Sequence, residues 1–159
     1  QMPRSAFGHI FGTQLSACWS LGLLPEPSEE EITKMLQRLS TVSSDADLSG
    51  NSGMAATLSR SLVGKELGIV SPTCLGPAAY RFSCQLNENS AKFARASEVP
   101  EMNHNEIVAW TGKASENSAL LLLSCEGLHP RTDSRIEWML DDVEATPTGG
   151  IEGEGESLL

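Results

Sequence analysis

Ala119-Leu120-Leu121-Leu122-Leu123 is the longest unbroken apolar run in the chain, and it constrains the fold more than any other feature. Five residues are far too few to cross a bilayer, which takes about 20. A short run without polar alternation suits a strand covered on both faces, as in a parallel sheet. Residues 119–124 are therefore predicted to be a buried strand, and Leu67 to Val70 supply a second brief apolar run of the same kind. Helical spacing follows at 131–142 and surrounds the earlier run. Alternating helix and buried strand predicts an α/β fold, a three-layer sandwich with a parallel sheet flanked by helices.

The amino-terminal part reads differently. Phe7, Ile10, Phe11, Leu15, Cys18, Trp19 and Leu23 recur at three- and four-residue steps over 5–24, the spacing of an amphipathic helix. Pro25 and Pro27 stop it. Ser28 followed by Glu29, Glu30 and Glu31 is an N-cap with an acidic first turn, predicting a second helix to about residue 39 whose buried stripe is Ile32, Met35, Leu36 and Leu39. Residues 41–53, rich in Ser, Asp and Gly, read as a polar loop. Within it, Ser49-Gly50-Asn51-Ser52-Gly53 admits a phosphate-cradling loop, but a connector is the better account of such turn residues. A short helix is expected over 54–63. Gly76-Pro77 opens another, with Ala79, Phe82, Leu86, Phe93 and Ala94 on its apolar face out to about 96. An irregular segment follows Pro100, and 146–156 is either an edge strand or disordered.

Composition narrows the partners. Lys and Arg total 11 against 21 Asp and Glu, a formal net charge of -10, and the cations are scattered, which argues against nucleic acid. The four cysteines form no CxxC or Cys/His cluster, so no metal site is expected and reduced, buried thiols are. With neither a membrane span nor a signal pattern, the expected location is the cytoplasm. Both ends of the chain look cut.

Two stretches carry chemistry. In Gln85-Leu86-Asn87-Glu88-Asn89-Ser90-Ala91-Lys92 a carboxylate stands between two amides on a helix whose other side is apolar. Amides can hold a sugar hydroxyl or orient the carboxylate, and partial burial would raise the Glu88 pKa toward a value useful for moving a proton. A solvated helical face is the plain alternative. In Glu98-Val99-Pro100-Glu101-Met102-Asn103-His104-Asn105-Glu106-Ile107 a histidine lies between two asparagines with acids on both sides. Neither helix nor strand logic asks for that pattern. An imidazole with flanking acceptors can exchange a proton with a sugar oxygen near neutral pH, whereas a lone loop histidine is also compatible with a structural or exposed role. Glu101 and Glu106 read equally as orienters of His104 and as solvated charges. His9 and His129 read as structural or exposed.

Tyr80-Arg81 through Lys92, followed by Val99 through Trp110, resembles the bifunctional phosphoglucose/phosphomannose isomerases, two-lobed enzymes of the sugar isomerase (SIS) fold, which is flavodoxin-like. The resemblance covers nearly the whole chain and implies that it is the C-terminal half. Residues 1–40 would be the opening helical segment of the second lobe, 41–53 a loop, and 54–159 the SIS-type domain. It implies interconversion of glucose 6-phosphate or mannose 6-phosphate with fructose 6-phosphate through a cis-enediol, a step of glycolysis and gluconeogenesis, with no cofactor. By the same resemblance Glu88 matches the catalytic base, and His104, sixteen residues on, matches the residue that helps open the sugar ring. Arg4 resembles the arginine that stabilises the enediolate. Arg81, Asn87 and Lys92 are substrate-binding candidates. The family's histidine reaches into a partner's site, which implies a homodimer sharing active sites; its N-terminal SIS lobe and a catalytic lysine would lie outside this chain. A SIS module that binds a phosphosugar without catalysis is the rival reading.

Overall fold

A computed structural model describes residues 6–46, 52–112, 117–143 and 148–153. The chain divides into two compact units, Gln1–Thr57 and Leu58–Leu159.

The first unit holds helices α1 (Phe7–Ser20) and α2 (Glu29–Asp45). The start of α2 is the capping arrangement expected from its residues: the Glu31 N–H donates to Ser28 Oγ, and the Ser28 N–H donates to the Glu31 carboxylate at 2.7 Å. Its end is a correction. Residues 41–45, expected to be loop, continue the helix, since no glycine or proline interrupts them and the turn comes only at Ala46. The stripe expected to be buried is also corrected. Met35, Leu36 and Leu39 are exposed, Ile32 is half-buried, and neither helix has a buried residue. Periodicity identifies an apolar stripe; it does not supply a covering layer.

Helix α3 (Met54–Leu62) crosses the boundary between the units. Within the second unit follow β1 (Glu66–Pro72), α4 (Gly76–Ser90), β2 (Ala94–Val99), α5 (Ile107–Trp110), β3 (Ser118–Cys125), α6 (Pro130–Asp142) and β4 (Thr148–Gly153). The four strands are parallel in the order β2-β1-β3-β4, with Leu67 opposite Ala94 and Ala119, and Leu121 opposite Gly149. Alternation along the strands sends their side chains to two packed layers. On one face Leu67, Ile69, Ala94, Ala119 and Leu121 meet Ala79, Phe82 and Leu86 of α4 with Leu58 and Leu62 of α3. On the other, Val70, Val99, Leu120 and Leu122 meet Met102, Trp110, Ile136 and Met139. Leu120, Leu121 and Leu122 are at most 1% exposed, and burying each contributes about 1.5–3 kcal/mol. The architecture is the α/β parallel sheet flanked by helices that the pattern predicts.

Two boundaries differ from expectation. The helix expected to reach about 96 stops at Ser90, where Ala91 takes a left-handed backbone (φ 49°) and the Lys92 N–H donates to the Leu86 carbonyl. Phe93 is therefore exposed beyond the helix, and Ala94 is buried in a strand. Residues 146–156, left between edge strand and disorder, contain β4 at one edge of the sheet. The expectation of buried thiols is corrected as well: Cys74 is exposed and Cys18, Cys84 and Cys125 are half-buried, all four free.

Candidate active site

Helix α4 turns Ala79, Phe82, Ser83 and Leu86 toward the sheet, which leaves Arg81, Gln85, Glu88 and Asn89 on its outer side. With its oxygen turned to the guanidinium, the Gln85 amide accepts from Arg81 Nη2 at 2.8 Å, and it lies 2.8 Å from the Asn89 amide. A ladder of polar groups thus runs along the outside of the helix. Glu88 is exposed near its end, so the partial burial expected from the sequence is absent in this chain. Lys92 is exposed in the turn beyond.

Asn87 does something its sequence neighbourhood does not reveal. Its Nδ2 donates to the Ala94 carbonyl at 3.0 Å and its Oδ1 accepts from the Ala94 N–H at 2.8 Å. The side chain stands in for a neighbouring strand and closes the α4–β2 turn. A structural role for the amide is thereby directly visible, alongside the substrate-binding one inferred from the motif.

At the other end of α4, the Glu98 side chain of β2 lies against the first turn. A Cβ on Gly76 would fall 2.3 Å from Glu98 Oε1. Glycine is what lets the carboxylate approach the positive end of the helix.

His104 ends the 3-10 turn Glu101–Asn103, donates its backbone N–H to the Glu101 carbonyl at 2.9 Å, and is exposed. Its flanking amides are turned elsewhere. Asn103 Nδ2 reaches Met139 Sδ at 3.6 Å, and Asn105 bridges Glu101 to the Glu106 N–H. Asn103 Oδ1 is buried without a hydrogen-bond partner.

The carboxylate of Glu106 is the organising group of this segment. Oε2 accepts from Ser97 Oγ at 2.5 Å, while Oε1 accepts from Trp110 Nε1 at 2.9 Å and pairs with Arg95 Nη2 at 3.1 Å. The Arg95 guanidinium also lies over the Trp110 ring, 5.2 Å from its centroid. Both oxygens of Glu106 are engaged with β2 and Trp110, so neither of the readings weighed for it, orienter of His104 or solvated charge, describes its position. Sequence reasoning missed this cluster, although the four-residue step from Glu106 to Trp110 in a helical turn was visible.

Glu88 and His104 thus belong to segments packed on opposite faces of the sheet. The structure does not bring them together within one chain. Among the described residues of the second unit, a cavity of 220 Å³ is lined by Glu66, Gly68, Phe93, Arg95, Trp110 and Ser118, and another of 310 Å³ by Gly76, Tyr80, Ala96, Ser97 and Glu98. Neither is lined by Glu88 or His104. Arg4 lies outside the described residues, as do residues 49–51 of the glycine-containing loop. Among the described residues no three His, Cys, Asp or Glu gather as a metal site, and no helix is long and apolar enough to cross a membrane.

Comparison with known proteins adds two findings. The family model of the bacterial phospho-glucose isomerase C-terminal SIS domain matches residues 51–159. A bifunctional phosphoglucose/phosphomannose isomerase of Aquifex aeolicus (strain VF5) is 35% identical over 85 residues, covering 51% of this chain. The chain spans 26% of that protein's length.

Proposed function

On the premise that the chain belongs to the family of bacterial phospho-glucose isomerase C-terminal SIS domains, we propose that it is the lobe of a cytoplasmic aldose-ketose isomerase acting on glucose 6-phosphate or mannose 6-phosphate. The family match over 51–159, which contains both Glu88 and His104, carries the proposal. Glu88 takes the proton from C2 of the ring-opened aldose, leaving a cis-enediolate, and returns it to C1 to give fructose 6-phosphate. His104 exchanges a proton with the ring oxygen during opening. Arg4 stabilises the enediolate, with Arg81, Asn87 and Lys92 near the substrate. The cations among them, Arg4, Arg81 and Lys92, are local exceptions in a chain of net charge -10.

Opposite placement of Glu88 and His104 favours a homodimer in which the imidazole of one copy serves the carboxylate of the other. The exposure of both side chains suits that arrangement, since a partner and a sugar can cover them together.

The test is isomerase turnover by the full-length protein. Glu88→Gln is expected to lower kcat by about 100-fold or more, the usual worth of a positioned acid/base. Retained turnover in that variant would remove Glu88 from the mechanism. Mixing Glu88→Gln with His104→Ala protomers is expected to restore measurable turnover through hybrid dimers; no recovery, with dimers formed, would reject the shared site. Sugar phosphate binding without any turnover by the unmodified protein would favour the non-catalytic SIS module.

A further inference from the structure

The sheet order makes β1 and β3 neighbours whose connections leave in opposite directions, β1 through α4 to β2 and β3 through α6 to β4. In open parallel sheets the crevice at the carboxyl ends of two such strands is where ligands bind. Here that crevice is framed by two cysteines. Cys125 is the last residue of β3, and Cys74 lies in the 3-10 turn Thr73–Leu75 that directly follows β1. Thr73 Oγ1 donates to the Val99 carbonyl at 3.3 Å and so fixes the turn to the end of β2.

β1 and β3 pair side by side as far as Val70 and Leu122, a few residues short of Cys74 and Cys125, and Cys74 is near enough to act on the Cys125 thiol. Neighbouring strands run about 4.8 Å apart, a spacing compatible with the Cα separations of about 4.4–6.8 Å that disulfides span. We propose that Cys74 and Cys125 are a redox modification site, forming a reversible disulfide that joins the carboxyl ends of β1 and β3 across the crevice.

The surroundings assign the order of events. Burial and the adjacent Cys74 hold the Cys125 thiol above the usual thiol range, and the charges of Asp133 and Glu152 act in the same direction. Cys125 therefore stays protonated and half-buried, whereas Cys74 is exposed and meets the oxidant first. With hydrogen peroxide as oxidant, the Cys74 sulfur attacks one peroxide oxygen and the O–O bond breaks. The departing hydroxide takes up the Cys74 proton as water, leaving a sulfenic acid. The Cys125 sulfur then attacks the Cys74 sulfur, the S–O bond breaks, and a second water carries off the Cys125 proton. Two thiols are oxidised to one disulfide and one peroxide is reduced to two waters. A dithiol reductant reverses the bond by exchange. None of this depends on which sugar phosphate the protein uses.

Peptide mapping after trypsin decides the matter. Cys74 lies in the peptide 66–81 and Cys125 in 114–131, while Cys84 falls in 82–92 and Cys18 in 5–34. Peroxide treatment of the chain followed by alkylation is expected to link 66–81 to 114–131, to remove two of the four free thiols, and to leave Cys18 and Cys84 alkylated. Dithiothreitol should restore all four. Cys125→Ser should abolish the link and leave Cys74 as a trappable sulfenic acid, and Cys84→Ser should leave the link unchanged. Cys74 oxidised with Cys125 still alkylated in the unmodified chain, or a linkage of Cys74 to Cys18 or Cys84, would overturn the proposal.

Discussion

The two segments that carry the candidate residues, packed on opposite faces of the sheet, are ordered by different means. On one, α4 follows from its own sequence: proline at the start, apolar residues at helical spacing, and a face that fits Leu67, Ile69 and Ala119. On the other, the 3-10 turn after β2 is followed by only the four-residue α5, and the segment is held by partners distant in sequence, Trp110 on Gly68 and Glu106 on Ser97 and Arg95. Local periodicity announces the first kind of order. Order of the second kind exists only once the strands are in place. Both candidate catalytic side chains are exposed, one carried by each layer, so the contrast also sets how firmly each is held.

The largest expected effects therefore fall on the second face. Trp110→Ala removes a ring that is 2% exposed, which should lower stability by about 4 kcal/mol and the melting temperature by roughly 10 °C. A double-mutant cycle sharpens the point. A Cβ on Gly68 would stand 2.3 Å from Trp110 Cζ2, so Gly68→Ala alone should cost about 2 kcal/mol and should cost nearly nothing in the Trp110→Ala background. An equal cost in both backgrounds, measured by denaturant unfolding, would mean that the pair does not order this face.

Glu106→Ala comes next. It leaves the Trp110 Nε1–H, Ser97 Oγ and Arg95 without their shared acceptor, at a cost of about 2 kcal/mol. The same substitution should increase hydrogen exchange at 101–110 while leaving α4 protected, because only the former segment is tied down through this carboxylate. Loosening of both segments together would erase the distinction between the faces.

The parts legible in the sequence are those whose cause is local. The β3 strand was visible as an apolar run, and the α2 start as Ser28 with Glu31. The β2 strand was not, because Ala94-Arg95-Ala96-Ser97-Glu98-Val99 lacks a strand pattern and owes its form to pairing with β1 on an edge. The end of α4 was equally hidden: no glycine or proline marks Ala91, and the stop is held by Asn87 reaching seven residues on to Ala94. At the candidate site, Glu88 and His104 are put forward by the motifs around them. The role of Glu106 was not legible, because its partners lie on a strand that the pattern did not reveal.

Asn87 offers a test on the first face. Asn87→Ala removes two hydrogen bonds from the Ala94 backbone and is expected to cost about 1.5 kcal/mol. Asn87→Asp should recover part of this, since a carboxylate still accepts from the Ala94 N–H but no longer donates to its carbonyl. The ordering Asn, Asp, Ala in melting temperature distinguishes a backbone clamp from a side chain that serves only substrate, for which the three would melt alike without ligand.

The smallest effect belongs to the purely local device in α2. Ser28→Ala should cost about 1 kcal/mol through the lost cap. The Ser28 hydroxyl and then its backbone N–H, with Lys34 a lesser contributor, hold the Glu31 carboxyl below the usual carboxylate range, against a weak opposing effect of desolvation. Because the folded pKa is the lower one, this contribution is fully present above the ordinary carboxylate value and is lost as pH falls through the depressed one. The stability difference between the Ser28→Ala variant and the unmodified chain should therefore narrow on acidification. If the Ser28→Ala difference were constant through the carboxylate range, the cap would be acting without Glu31, and the local reading of this helix start would have to be replaced by one in which tertiary packing sets where α2 begins.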